Sequence, residues 1–389
     1  MAANSSASAL FNQSGHIICN SGLTCLTTEL KIGFGALFAV IILIGVVGNL
    51  FVITVILPSP KMLRSTINLF LLNLAVADVC NLLFCLPDVI QALNDWGWIL
   101  PAFSCPLLRF LQEYFLYASV LLQVSIGIER FMAICNPMRL KRMSRVFSIQ
   151  IIVSSWTLAA AFAGPYLFYQ RKLPIMGGWA SICFWYEIGS TVKNLFKYAE
   201  CLILYFVPLV LLTTIYTVTS YRLWGRDMMR LHENEQQAIT ILTLRRSVVK
   251  MLIISMLVYF LCYSPIQAIF IIGAVSQRRI SIGQSIRLTL NALAVSSSAA
   301  NPIVYSVCCR QFRGKFFRLM RRLAVWDVMA GERSYSMVTV ATAMGLPVVN
   351  ADQNHLNGSS RMSRLSTSYP YRCHSRRATA VSEDIMTVL

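Results

Sequence analysis

Asp78, Asp88, Glu113, Glu129 and Glu200 are carboxylates set in otherwise apolar stretches of this 389-residue chain. A charge in such surroundings is costly unless a base, a metal ion or a ligand answers it. Glu129 has Arg130 beside it, and Glu113 follows Arg109 by four residues. Arg109, Gln112, Glu113 and Leu116 fall at i, i+3, i+4 and i+7, which is one face of a helix. Three kinds of chemistry are open to these groups. They can pair internally, for example Arg109 or Arg287 with Asp88 or Glu113. They can hold a hard cation. They can also receive a cationic group on a ligand, such as the Lys or Arg of a peptide. Catalysis finds no support. His16, His232, His355 and His374 are scattered, the twelve cysteines match no metal spacing, and no Gly-rich phosphate loop or Gly-x-Ser-x-Gly is present.

The elements that position these residues follow from hydropathy. Hydrophobic residues make up 56% of the chain and charged ones 13%, with a mean hydropathy of +0.62 and a net charge of +18. That apolar fraction excludes a disordered protein and exceeds the roughly 45–50% of soluble domains. A nucleic-acid partner would account for the charge but not for the hydropathy, so none is expected. Apolar runs cover residues 32–57, 66–92, 102–135, 148–169, 195–223, 243–274 and 283–307. Each reaches the roughly 20 residues that cross a bilayer, and in lipid only helices satisfy their own backbone. Pro165, Pro208, Pro265 and Pro302 predict kinks inside them. No signal peptide is expected ahead of them, because residues 1–30 lack a basic region followed by an apolar one. The sequons at Asn4 and Asn12 are usable only outside the cell, and Lys and Arg gather in alternate connections and after Arg310. The expected layout is an outer tail (1–31), a bundle (32–307), an amphipathic helix (308–325) and a disordered cytoplasmic tail (326–389). Cys19, Cys25, Cys105 and Cys183 then lie outside, an even number that suits two disulfides.

Every run carries a polar or aromatic mark. The first has Gly45-Val-Val-Gly48-Asn49, the second Asn73-Leu-Ala-Val-Ala-Asp78 and the third Glu129-Arg130-Phe131. The fourth has Trp156, and the fifth Pro208 with Tyr216. The sixth has Phe260-Leu-Cys262-Tyr263-Ser-Pro265, and the seventh Asn301-Pro302-Ile-Val-Tyr305. In this order, over about residues 30–325, the set resembles the rhodopsin-like (class A) G-protein-coupled receptors. The resemblance implies an all-α membrane protein, a seven-helix bundle with an eighth amphipathic helix, at the plasma membrane with its amino terminus outside. It is not an enzyme. The resemblance also implies a Cys105–Cys183 disulfide, which leaves Cys19 and Cys25 for a second, and it gives Trp98 the place of the family's outer-loop tryptophan.

Asp78, Ser119, Ser297 and Asn301 match positions that surround a sodium ion in the family. Ser297 stands where Asn is usual, so sodium or a water network are the alternatives. Glu129 and Arg130 resemble the cytoplasmic switch, with Tyr216, Tyr263, Pro265, Asn301, Pro302 and Tyr305 as its further parts. Arg245 stands where many members have an acid, so an ionic lock between Arg130 and the sixth helix is not expected. Tyr263 replaces a commoner Trp.

The resemblance also bears on the ligand. Gln112 occupies the place of the aspartate of amine receptors, and Val295 that of the lysine of opsins. Asp88, Arg109, Gln112, Glu113, Glu200, Tyr263, Gln267, Arg287 and Asn291 match pocket-facing positions. The stretch from Leu173 to Tyr186 brackets Gly177-Gly178 with strand-forming residues and reads as a hairpin. Together these favour a peptide ligand, with a lipid or other small molecule as the alternative. A seven-span transporter would show inverted repeats or broken helices with paired charges. On the cytoplasmic side the resemblance gives Arg130, Pro137 and Met138 to the heterotrimeric G protein and the Ser/Thr-rich tail to arrestin. Membrane lipids face the amphipathic helix. Cys308 and Cys309 are either palmitoylated or free thiols, and Thr387 with Leu389 resembles a PDZ ligand.

Overall fold

A computed structural model describes residues 10–11, 17–18, 26–135, 145–175, 178–186, 190–225, 235–275, 283–308 and 314. All but Gly314 belong to one compact unit. The first span is α1 (Thr28–Ile56), and a short α2 (Pro60–Arg64) follows it. The second span is made of α3 (Thr66–Phe84) and α4 (Leu86–Leu93). The third and fourth are α5 (Ser104–Cys135) and α6 (Arg145–Tyr169). The fifth joins α7 (Ser190–Cys201), a π-helical turn at Leu202–Phe206 and α8 (Val207–Gly225). The sixth is α9 (Glu235–Val275) and the seventh α10 (Gln284–Cys308).

Six of the seven spans are long and apolar enough to cross a membrane on composition alone. The seventh, α10, is more polar because Ser297, Ser298 and Asn301 are buried against neighbouring helices rather than exposed to lipid. Thr27 caps α1 through its side chain, and Ser59 caps α2 ahead of Pro60. The second span breaks at Cys85 because Pro87, near the start of α4, has no backbone donor. The π turn in the fifth lies just before Pro208 and so accommodates the missing donor with one extra residue per turn.

Small residues let the helices approach closely. A Cβ on Gly45 would come within 2.8 Å of Ala299 Cβ, and one on Gly48 within 2.8 Å of Pro302. Asn49, next to Gly48, donates to the Ser298 carbonyl at 3.2 Å and so ties α1 to α10. Trp156 of α6 donates to Asn73 of α3 at 3.1 Å. The closest neighbours are α5 with α6, α3 with α5, and α1 and α9 each with α10.

The expected outer hairpin is present, as β3 (Gln170–Ile175) and β4 (Ala180–Trp185), antiparallel with Lys172 opposite Cys183. Two-residue strands, β1 (Leu10–Phe11) and β2 (Ile17–Ile18), pair in the amino-terminal segment. The Cys105–Cys183 disulfide joins β4 to the start of α5. Trp98 is buried against it, and the Trp98 amide donates to the Ser181 carbonyl at 2.6 Å. Gly97 makes this approach feasible. Its φ is +67°, and a Cβ there would sit 2.1 Å from the Ser181 oxygen. Asn4, Asn12, Cys19, Cys25, Pro137, Met138, Cys309, the amphipathic helix apart from Gly314, the tail, Thr387 and Leu389 lie outside the described residues.

Candidate functional site

A cavity of about 290 Å³ lies among the second, third, fifth, sixth and seventh spans. Of the nine expected ligand residues it brings together eight: Asp88, Arg109, Gln112, Glu113, Glu200, Tyr263, Gln267 and Asn291. Arg287 is the exception. It is exposed on α10 and does not line the cavity, so it answers neither Asp88 nor Glu113 there.

The three cavity acids are not equivalent. Asp88 forms an ion pair with Arg109, so internal pairing holds for that acid. Gln112 also bonds Asp88. The Arg109 Nε is buried in the structure and has no hydrogen-bond partner. Glu200 pairs with Lys197 at 2.9 Å and accepts from the Tyr166 hydroxyl at 3.1 Å. Glu113 forms no ion pair among the described residues, although Lys197 and Arg109 are in its neighbourhood and the Tyr117 hydroxyl bonds it. Three carboxylates therefore face two cations in the cavity lining.

Lys197 was not among the expected residues, and neither were Tyr117 and Tyr166. The i, i+3 spacing from Lys197 to Glu200 was available as a signal. Tyr117 and Tyr166 belong to different spans, and only packing sets their hydroxyls 3.4 Å apart. The cavity floor is aromatic. Tyr259 and Tyr263 have ring centroids 4.8 Å apart, and Tyr205 meets Phe260 edge-on at 5.4 Å. Tyr205, in the π turn, donates to Ser264 Oγ (2.6 Å), which donates to the Phe260 carbonyl (2.6 Å).

Below the floor, Asp78 is fully buried. Ser119 donates to one oxygen (2.8 Å) and Asn301 to the other (2.7 Å). The expected Ser297 turns away, to the Ala294 carbonyl at 2.7 Å. Ser298 takes its place, bonding Asp78 and accepting from Asn81 at 3.1 Å. One residue turns a helix by about 100°, enough to exchange the two serines. No base pairs with Asp78 among the described residues, so its partners are neutral hydroxyls and amides. A buried carboxylate with oxygen donors around it is a donor set that fits a small hard cation.

At the inner end, Arg130 reaches Glu129 with Nε (2.5 Å) and Nη2 (2.9 Å), both side chains buried. Tyr216 and Tyr305 are also buried, and Tyr216 lies close to both Arg130 and Gly127. Cys308 is in no disulfide among the described residues.

Seven spans, a disulfide-tethered hairpin beside an outer cavity, and a buried Glu–Arg pair at the opposite end define a receptor architecture. The chain belongs to the rhodopsin family of seven-transmembrane receptors, whose family model matches residues 48–305. It is thus a multi-pass membrane protein and not an enzyme. It is 34% identical over 309 residues to neuropeptide receptor 15 of Caenorhabditis elegans, covering 74% of this chain and 90% of that one. To the human neuromedin-K receptor it is 30% identical over 376 residues, 90% of this chain and 78% of the other. To galanin receptor 2b of Danio rerio it is 28% identical over 284 residues, 72% of each.

Proposed function

We propose that this receptor sits in the plasma membrane with its amino terminus outside, binds an extracellular peptide carrying a basic residue, and activates a heterotrimeric G protein. The observation that carries the peptide reading is the cavity, where Glu113 is the acid left without an ion pair and the Arg109 Nε lacks an acceptor. A Lys or Arg residue offers a cation for the one and a carbonyl for the other. Relatives named as neuropeptide, neuromedin-K and galanin receptors support the same ligand class. At the other end Arg130 is the switch: leaving Glu129 frees it to meet the G protein. Asp78, Ser119, Ser298 and Asn301 hold a sodium ion that stabilises the closed form when bound. Arrestin at the phosphorylated tail, and a PDZ domain at Thr387 and Leu389, complete the partners.

The test is a neuropeptide library applied to cells expressing the receptor, read by calcium and cyclic AMP, followed by variants with the agonist found. Glu113→Gln should lower potency at least tenfold, about 1.4 kcal/mol. A peptide whose basic residue is replaced by norleucine should lose as much on the native receptor and little more on the variant. Unchanged potency in Glu113→Gln and in Asp88→Asn would remove the cationic-ligand reading. Activation by lipids alone would remove the peptide.

A further inference from the structure

Lys197 is a cation of the chain's own, placed among the acids of the cavity. It lies on α7, one turn before Glu200, and pairs with that carboxylate at 2.9 Å. Its ammonium also donates to the Tyr166 hydroxyl, which donates to the same Glu200 oxygen at 3.1 Å. The ammonium is 4.9 Å from the centroid of the Tyr166 ring and 5.9 Å from that of Trp185 on β4. Tyr166 is buried, and its ring packs against Trp185 and Phe196 with centroids 5.0 and 5.9 Å away. A carboxylate, a hydroxyl and two ring faces therefore hold this cation on the fifth-span side of the cavity. Glu113 is left to the third span. The Tyr117 hydroxyl bonds it and lies 3.4 Å from the Tyr166 hydroxyl, so two phenols separate the two acids.

The arrangement sets how much positive charge the cavity accepts. Among the described residues that line it, Asp88 is matched by Arg109 and Glu200 by Lys197. One positive charge is then missing, at Glu113. A ligand with one basic group supplies it. A second basic group beside the first meets Lys197, whose carboxylate is already taken, and like charges brought together at an interface repel. Rejection by a charge built into the site confers specificity as attraction does.

Resting on the cationic-ligand reading above, we propose that Lys197 is a specificity-determining residue. Held on Glu200 with the help of Tyr166, it limits the ligand to a single basic group in the cavity and excludes adjacent pairs such as Lys-Arg or Arg-Arg. Glu113 and Glu200 are two cation subsites, and the chain fills one of them with its own side chain.

The test needs no agonist. Two probes share one skeleton: n-butylguanidinium carries a single positive charge, and agmatine carries a second at its far end. Each is titrated against the purified full-length receptor at constant ionic strength. Affinity is taken from the rise of melting temperature with probe concentration. The native receptor should bind n-butylguanidinium at least as tightly as agmatine. Lys197→Met keeps the apolar stem and removes the charge, and it should favour agmatine by roughly tenfold or more. Glu200→Gln should act in the opposite sense. It releases the Lys197 ammonium towards Glu113, and n-butylguanidinium should weaken by roughly tenfold. Lys197→Met/Glu200→Gln restores the balance of charge and should restore the native order of the probes. That recovery separates charge from packing, because a lysine with a structural role alone would leave the double variant no better than either single one. Melting temperatures without probe establish that each variant is folded. An unchanged order of the probes in Lys197→Met, or no recovery in the double variant, would overturn the proposal. The cationic-ligand reading survives that outcome if Glu113→Gln abolishes binding of n-butylguanidinium. Binding of neither probe to the native receptor would remove that reading and the proposal together.

Discussion

Asp78, Glu113 and Glu129 are three buried or half-buried acids with three different answers. Glu129 has a two-pronged guanidinium, Asp78 has neutral donors on both oxygens, and Glu113 has a tyrosine hydroxyl and space. The same residue type therefore serves a charge pair, an ion site and a ligand contact, according to what packing brings near. Asp78→Asn should abolish any sodium dependence of agonist affinity, compared in sodium and in potassium or choline chloride, while leaving the fold intact, because asparagine still accepts at one oxygen and Asn301 can turn its amide to accept from the new NH2 group. A sodium effect that persists in the variant would assign Asp78 to a water network instead. Gly97 is a purely steric case. Gly97→Ala must either move the Trp96–Trp98 segment away from β4 or strain its backbone, a cost of about 1–3 kcal/mol. It should lower surface expression and melting temperature, and Ala substituted at Gly33, where a Cβ meets nothing, should not.

At the scale of elements, the fifth and sixth spans are joined at two levels. Tyr205 and Ser264 join them beside the cavity, and Arg246 with the end of α8 joins them at the inner side. The first join depends on the π turn, which shifts the register of the fifth span around Tyr205. With Arg245 in place of an acid, no charge lock from the sixth span to Arg130 is expected, and this hydroxyl chain is one of the polar contacts that restrain it. Tyr205→Phe removes one hydrogen bond, worth about 1 kcal/mol, and should raise agonist-free signalling several-fold. The measurement is basal G-protein turnover at matched surface expression. Unchanged basal turnover would give Tyr205 a packing role only. The hairpin is the other decisive element, because β4 is anchored from two sides, by the disulfide to α5 and by Gln91 of α4 accepting from the Cys183 amide at 2.9 Å.

For the whole molecule, the net charge of +18 is a statement about topology. Basic residues gather in alternate connections and after Arg310, whereas three acids face two bases in the cavity lining. An epitope placed at the amino terminus should be accessible to antibody on intact cells, and one at the carboxyl terminus only after permeabilisation. The reverse pattern would overturn the orientation and with it the assignment of the cavity to the outside. At the centre of the bundle Asn49, Asp78, Ser119, Ser298 and Asn301 connect four spans through buried hydrogen bonds, and exposed span residues such as Thr157 and Thr214 bond their own helix's carbonyls. The lipid-facing surface is left to exposed Leu, Ile, Val and Phe, as a hydrocarbon environment requires.

The seven spans, their prolines and the outer hairpin were legible in the sequence, because hydropathy, missing donors and turn chemistry act over a few residues. Eight of the nine cavity residues followed from the resemblance to the receptor family, which gives them pocket-facing positions. The partners of those residues were not legible. Whether Arg109 or Arg287 answers Asp88, whether Ser297 or Ser298 meets Asp78, and that Lys197 neutralises Glu200 depend on helix rotation and rotamer. A turn of about 100° per residue exchanges one neighbour for the next. The sequence determined which groups are available in the membrane. Tertiary structure decided which of them remain unpaired, since pairing depends on distances of a few ångströms between spans far apart in the chain.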